Sequence, residues 1–177
     1  MTRYPQGPAD SPGFLLWHVS LRWQRAVTAA LAPLDLTHVQ FVLLACAWWL
    51  CDQGGTPNQA ELARQAGTDV KMTSQVVRTL AARGLIRRRV AARDARAMTV
   101  RPTARGTALA VRAIAVVEQA DREFFAPTST APLVRTLTRL ARREPGDEPK
   151  TAPAAKGPGP QPPPGAAPAR PAGRSIR

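Results

Sequence analysis

Apolar residues recur at three- and four-residue spacings from the first Phe onward: Phe14, Leu15, Trp17, Leu21, Val27 and Leu31 trace a long first helix that runs out near Pro33. A second helix is predicted from Thr37. There Thr37-His38-Val39-Gln40 has the form of a capping box, in which Thr accepts from a first-turn amide and Gln reaches back. This helix carries the longest apolar run, Phe41 to Leu50, and ends near Cys51. The run falls well short of the ~20 residues a membrane-spanning helix needs, so it reads as a buried helix, and no membrane partner is expected.

Gln53-Gly54-Gly55 interrupts the pattern, and Thr56-Pro57-Asn58-Gln59 restarts it with Thr as cap, Pro at the first position and Gln at the third. The third helix is short, reaching Gln65 or Ala66. Gly67-Thr68-Asp69 then makes a turn in which Thr or Asp caps a fourth helix, from about Val70 to Arg83, closed by Gly84. Two short helices joined by a glycine-containing turn fit a helix-turn-helix unit, and by spacing alone they fit an ordinary helical hairpin equally well.

The residues after Gly84 favour the first reading. Leu85–Val90 and Met98–Arg101 are strand candidates around a polar loop, Ala91-Ala92-Arg93-Asp94-Ala95-Arg96, which together make a hairpin, or wing. A fifth helix begins at Thr103, carries Leu109, Val111, Ile114, Val117, Phe124 and Phe125, and stops at Pro127; a sixth runs from about Thr130 to Arg143. The expected fold class is therefore mainly α with a small β-hairpin: a winged helix-turn-helix of six helices. Residues 1–13 are expected to be flexible. Residues 144–177, with ten of the 18 prolines and one large apolar residue, Ile176, are expected to form a disordered tail. Pro162-Pro163-Pro164 is compatible with a polyproline II interaction segment or with a plain solubilising end.

Charge narrows the class of partner. The chain has 25 Lys and Arg against 12 Asp and Glu, a formal net charge of +13, which points to a polyanion. Little of the excess lies in the tail. From Arg83 to Arg105 there are eight Arg and one acidic residue, the electrostatic footprint expected where phosphates are bound. Within the wing, Arg88, Arg93 and Arg96 are the expected contact residues. Arg is suited to a narrow minor groove, where the potential is most negative. On the fourth helix Val76, Val77 and Leu80 are expected to face the core, leaving Lys71, Met72, Ser74, Gln75 and Arg78 to read double-stranded DNA. Gln suits adenine, Ser and Lys suit phosphates or base edges, and Met packs on a thymine methyl.

Enzyme chemistry finds no support. The chain has no Ser-His-Asp or Cys-His arrangement, no paired carboxylates in a plausible cleft, no glycine-rich phosphate loop and no cofactor fingerprint, so no catalytic residue and no cofactor is assigned. His18, His38, Cys46 and Cys51 match no metal-ligand spacing. The two cysteines project about 140° apart on one helix, which disfavours a bridge between them, and a cytoplasmic location is the expectation. Cys46 reads as inert inside its apolar run; Cys51, at the helix end, is the better candidate for an accessible thiol.

At this point the chain resembles the MarR (multiple antibiotic resistance regulator) family over about residues 14–143. The wing is the most specific segment, with Asp94-Ala95-Arg96 followed by Val100-Arg101-Pro102-Thr103-Ala104-Arg105-Gly106 in place of the family's Asp-x-Arg, strand and Leu-Thr-x-x-Gly. Asn58-Gln59-Ala60-Glu61-Leu62-Ala63, Thr73 to Leu80, and Arg83-Gly84-Leu85-Ile86 also look like family segments in the correct order. Pro102 departs from the usual Leu and is tolerable as the last strand residue, where a missing donor costs little.

The resemblance implies a homodimer in which helices at 14–33 and 103–143 interlock with those of a second copy, while 37–101 binds DNA. It implies that Arg96 enters the minor groove while Asp94 holds the loop. A small aromatic or phenolic effector is implied as well, for which Trp17, His18, Trp48 and Trp49 are the candidate walls; a tryptophan-rich helix interface is the alternative. The functional expectation is a sequence-specific repressor on a pseudo-palindromic operator. The alternative is a basic architectural or nucleoid-associated protein with little sequence preference.

Overall fold

In the computed structural model, the described part of the chain comprises Tyr4, residues 7–91 and residues 94–141. The expected tail, 144–177, lies outside the described residues, as do Arg93 at the wing tip and parts of the N-terminal segment. After a short 3-10 turn at Pro8–Asp10, the elements are α1 (Pro12–Leu31), α2 (His38–Asp52), α3 (Gln59–Ala66), α4 (Val70–Ala82), β1 (Ile86–Ala91), β2 (Asp94–Pro102), α5 (Ala104–Phe125) and α6 (Thr130–Ala141). These are six helices and one antiparallel hairpin, in the order the hydrophobic pattern predicts.

Local hydrogen bonds explain most of the boundaries. Ser11 caps α1, and Pro12 at its first position needs no amide donor. Thr37 and Gln40 form the expected capping box of α2. The start of α3 differs from the expectation: its cap is Asn58, not Thr56, and Asn58 and Glu61 bond each other's backbone amides, both at 2.9 Å. The reason lies in the sheet. Val100 donates its amide to the Pro57 carbonyl at 2.8 Å and Asn58 bridges to Thr99, so residues 57–58 are held extended along the free edge of β2.

β2 also begins earlier than the pattern suggests, at Asp94, and its pairing with β1 shifts register after Val90. Pro102 is the last residue of the strand, opposite Ile86. Beyond it Thr103 caps α5, accepting from the Gly106 amide at 3.0 Å. Its hydroxyl also donates to the Gly84 carbonyl at 2.8 Å and its amide to the Leu85 carbonyl at 3.0 Å. Gly106 is required for this approach: a β-carbon there would collide with the Leu85 carbonyl oxygen. The Thr-x-x-Gly of the wing motif is thus the joint that seats α5 on the end of α4 and the start of β1.

One core joins the elements. Val27 and Leu31 of α1, Leu43, Leu44 and Ala47 of α2, Leu62 of α3, Val77 and Leu80 of α4, Val100 of β2, and Ala110 and Ala113 of α5 have no exposed surface. The small residues of α5 let α1 and α2 pack closely along it. The apolar run of α2 is mostly buried or half-buried, as expected, and no single helix among the described residues is long and apolar enough to cross a membrane. The chain divides into a unit ending at Val134 and a second beginning at Arg135, in which residues 135–141 continue α6.

Candidate nucleic-acid interface

The turn between α3 and α4 is built by its own side chains. Gly67 adopts the left-handed conformation, φ 64°, that ends α3, and Thr68 donates its amide back to Ala63 at 2.9 Å. Asp69 caps α4 by accepting from the Met72 amide at 2.8 Å. Beneath the turn lies Thr73, wholly buried, with its hydroxyl 2.8 Å from the Asp69 carbonyl and 2.8 Å from the Thr68 hydroxyl. The sequence reading overlooked Thr73, because a threonine on a polar helix carries no burial signal until the turn folds over it. Its effect is to lock the angle at which α4 leaves the turn.

From that base, α4 turns Val77 and Leu80 into the core and half-buries Val76, as predicted. Lys71, Met72, Gln75 and Arg78 are exposed, and Ser74 is half-buried. One face of the helix therefore offers donors and acceptors with a thioether among them, the mixture that base edges and thymine methyl groups require.

The hairpin has two faces of different character. Cross-strand pairs place Arg88 beside Val100 on the inner face, where Val100 is fully buried. Arg88 is half-buried there, and its Nε has no hydrogen-bond partner. The outer face carries Arg87 opposite Arg101 and Arg89 opposite Thr99, all four exposed or half-buried, around a hollow of about 250 Å³. Arg101 donates weakly to the Gly55 carbonyl and Thr56 hydroxyl; Arg87 and Arg89 face solvent without a carboxylate partner among the described residues. Like charges directly opposite on a ladder are unfavourable, so this face is complementary to an anion. Of the strand arginines the sequence reading chose Arg88, yet Arg87 and Arg89 are the ones on the open face. Alternation along β1 was the available signal, and it went unused. Asp94 and Arg96 belong to β2 by backbone; their side chains, like Arg93, lie outside the described residues.

The residues expected to form one pocket are divided between α1 (Trp17, His18) and α2 (Trp48, Trp49), and the Trp48 and Trp49 rings lie 6.5 Å apart. Trp48 lines a cavity of about 260 Å³ with Cys51, Asp52, Arg101, Pro102 and Thr107, to which Trp17, His18 and Trp49 contribute nothing. Trp17 is 61% exposed and Trp49 50% exposed, while His18 packs its ring on Phe14 at 4.3 Å. Adjacent positions on α2 diverge by ~100°, which sends Trp49 outward when Trp48 is half-buried. A different aromatic cluster joins three helices: Trp23 of α1 donates its indole N–H to Asp121 of α5 at 2.7 Å and meets the His38 ring of α2 edge-on at 5.1 Å. Burial pushes the His38 pKa below its ordinary value, and the nearby Asp121 carboxylate partly opposes this.

Neither cysteine has the environment of a reactive thiolate. Burial raises the pKa of both, and Arg101 offsets this only in part at Cys51. Among the described residues, no group of His, Cys, Asp and Glu is arranged to hold a metal ion.

Comparison with known proteins decides the family. A profile of the MarR family matches residues 36–98, the span from the start of α2 to the wing. The HTH-type transcriptional regulator YdcH of Bacillus subtilis is 44% identical over 120 residues, covering 68% of this chain and 82% of YdcH. The chain belongs to the MarR family. The HTH-type transcriptional repressor Rv2887 of Mycobacterium tuberculosis is 37% identical over 135 residues, 76% of this MarR chain and 94% of its own length. A structure of Rv2887 in complex with p-aminosalicylic acid superimposes with TM-score 0.54 at 35% identity, covering 74% of this chain and 95% of that one. CouR of Rhodococcus jostii RHA1, solved bound to p-coumaroyl-CoA, superimposes with TM-score 0.66 at 28% identity, covering 76% and 92%. YdcH and Rv2887 are HTH-type transcriptional regulators, and the six helices and hairpin of this chain are the MarR winged-helix fold.

Proposed function

We propose that this MarR regulator acts as a homodimeric repressor on a pseudo-palindromic operator in the cytoplasm. In each copy α4 lies in the major groove and reads bases through Lys71, Met72, Ser74, Gln75 and Arg78. The wing lies along the neighbouring minor groove, with Arg93 and Arg96 at its tip, Asp94 bracing the loop, and Arg87 and Arg89 on flanking phosphates. The observation that carries this reading is the exposed polar face of α4 beside a hairpin whose outer Arg87 and Arg89 have no carboxylate partner among the described residues. Arg88, half-buried on the inner face, is secondary to Arg87 and Arg89.

The dimer is supported by apolar surface that one copy leaves open. Phe14, Leu15, Leu16, Trp17 and Val19 at the start of α1 are each more than 40% exposed, and Val134, Leu137 and Leu140 form an exposed stripe on α6. Residues 14–33 and 103–143 are the proposed dimerisation segments and 37–101 the DNA-binding part. Of residues 1–13, expected to be flexible, Pro8–Asp10 form a 3-10 turn and Pro12 and Gly13 open α1. Release by a small aromatic acid or phenol is supported by the ligands found with CouR and Rv2887.

Selection of bound duplexes from a random pool near physiological salt tests the reading. The expected result is an inverted repeat whose half-sites are about one helical turn apart, with twice the chain mass by light scattering. Retention of DNA with no enriched motif would replace this reading with the architectural one.

A further inference from the structure

The two ends of α4 are anchored to different parts of the molecule. Its first turn is held to the α3–α4 turn, by the Asp69 cap and by the Thr73 hydroxyl, which is bonded to Thr68 and Asp69. At its other end Arg83, the C-terminal cap, donates from Nη2 to Asp35 Oδ2 at 2.8 Å and from Nη1 to Gln40 Oε1 at 3.0 Å. Asp35 lies in the joint between α1 and α2. Gln40 closes the capping box of α2, and the same Oε1 accepts from the Thr37 amide. Arg83 and Asp35 make the one ion pair among the described residues.

This pair contributes direction more than stability. Asp35 is 94% exposed, and exposed ion pairs stabilise a fold only slightly. The backbone at Asp35 is left-handed, φ 52°, and its amide is held by the Ala32 carbonyl at 3.0 Å, a bond that needs no carboxylate. The Arg83 guanidinium, by contrast, is a planar fork engaging two acceptors, one in the joint and one on α2, so this end of α4 cannot swing without breaking one of the two bonds. Next to it the Gly84 carbonyl accepts from the hydroxyl of Thr103, the cap of α5, at 2.8 Å. The last turn of α4 is thereby referenced to α5 and to the end of α1, which both belong to the proposed dimerisation segments.

We infer that Arg83 is a positioning residue that sets the separation of the two half-sites by fixing α4 against the α1–α2 joint. This rests on the reading of α4 as the DNA-reading helix of a dimer. One inserted base pair moves a half-site by about 3.4 Å along the duplex and turns it by about 35°. A helix held at both ends cannot follow that shift, whereas one freed from the joint follows it in part. The worth of an exposed pair limits the gain to at most about fivefold in affinity for a shifted site.

Two substitutions test the inference. Asp35→Asn removes the charge and keeps a residue that tolerates the left-handed region; Arg83→Gln removes both bonds. Hydrogen exchange in the full chain without DNA comes first. Asp35→Asn should speed exchange at the amides of residues 83–85, at least 48 positions from the substitution. Unaltered exchange there overturns the tie itself, whatever happens with DNA. Affinity is then measured from 50 to 200 mM salt on the selected inverted repeat, and on versions with one base pair inserted or removed between the half-sites. The preference for the selected spacing should shrink about two- to fivefold in Asp35→Asn and further in Arg83→Gln, with the salt slope unchanged. An unchanged preference, or a uniform loss at every spacing as a purely structural defect would give, overturns the spacing role. So does a slope shallower by about 0.9 in Arg83→Gln with the preference intact, which would make Arg83 a phosphate contact. A parent chain that binds every spacing alike refutes the fixed-spacing dimer, and the spacing role with it, while the exchange result still decides the tie.

Discussion

The outer face of the wing makes a quantitative demand on DNA binding. Arg87 and Arg89 lie on one strand face, exposed and without a carboxylate partner among the described residues, and Arg101 opposite them is engaged with the loop before α3. If each contacts one phosphate, changing both to Gln removes two counterion-releasing contacts. The slope of log K against log salt concentration then becomes shallower by about 1.8, at ~0.9 per contact, so a fourfold rise in salt weakens the variant about twelvefold less than the parent. Fluorescence anisotropy on a fixed duplex from 50 to 200 mM salt measures this. Folding is protected, because Arg87→Gln relieves a like-charge pair with Arg101 and should leave thermal stability equal or slightly raised. Arg88→Gln, on the inner face, should leave the slope unchanged. An unaltered slope in the Arg87, Arg89 variant would refute the outer-face assignment, and a change with Arg88→Gln alone would reverse the two faces.

Other expectations concern the joints behind the interface. Gly106→Ala should lower unfolding stability by about 1–3 kcal/mol or more, since the added carbon meets the rigid Leu85 carbonyl; denaturant melts will show it. Thr73→Val should cost roughly 1–3 kcal/mol, because the Thr68 hydroxyl and Asp69 carbonyl lose their buried partner, and Thr73→Ser should restore most of the loss. For His38, a folded pKa lowered by burial means that the unfolded chain binds more protons below pH 6.5, so its contribution is full above that value and is lost as pH falls through the folded pKa. Melting temperature should therefore fall on acidification below pH 6.5, less so in His38→Gln, and the window should widen in Asp121→Asn, which keeps an acceptor for Trp23.

Much of the architecture was legible in the sequence because the signals are local. The capping box of Thr37 and Gln40, the Gly67 turn and the inward Val77 and Leu80 all follow from bonds or periodicities within a few residues. The outward set Lys71, Met72, Gln75 and Arg78 was the remainder of the same 3.6-residue pattern. Sequence also placed Pro102 at the end of its strand, since proline offers the ladder no donor.

Tertiary structure alone decided the rest. The start of α3 moved from Thr56 to Asn58 because β2, more than 40 residues away, takes the Pro57 carbonyl. Which wing arginines face outward depends on register, where a one-residue slip exchanges the two faces; no count of arginines contains that information. The absence of Trp17 from the Trp48 cavity and the meeting of Arg83 with Asp35, 48 positions apart, depend likewise on how helices are brought together in space. Short-range hydrogen bonds and helical periodicity are written in consecutive residues, whereas the partners of a strand edge or a long side chain are chosen only when the core closes.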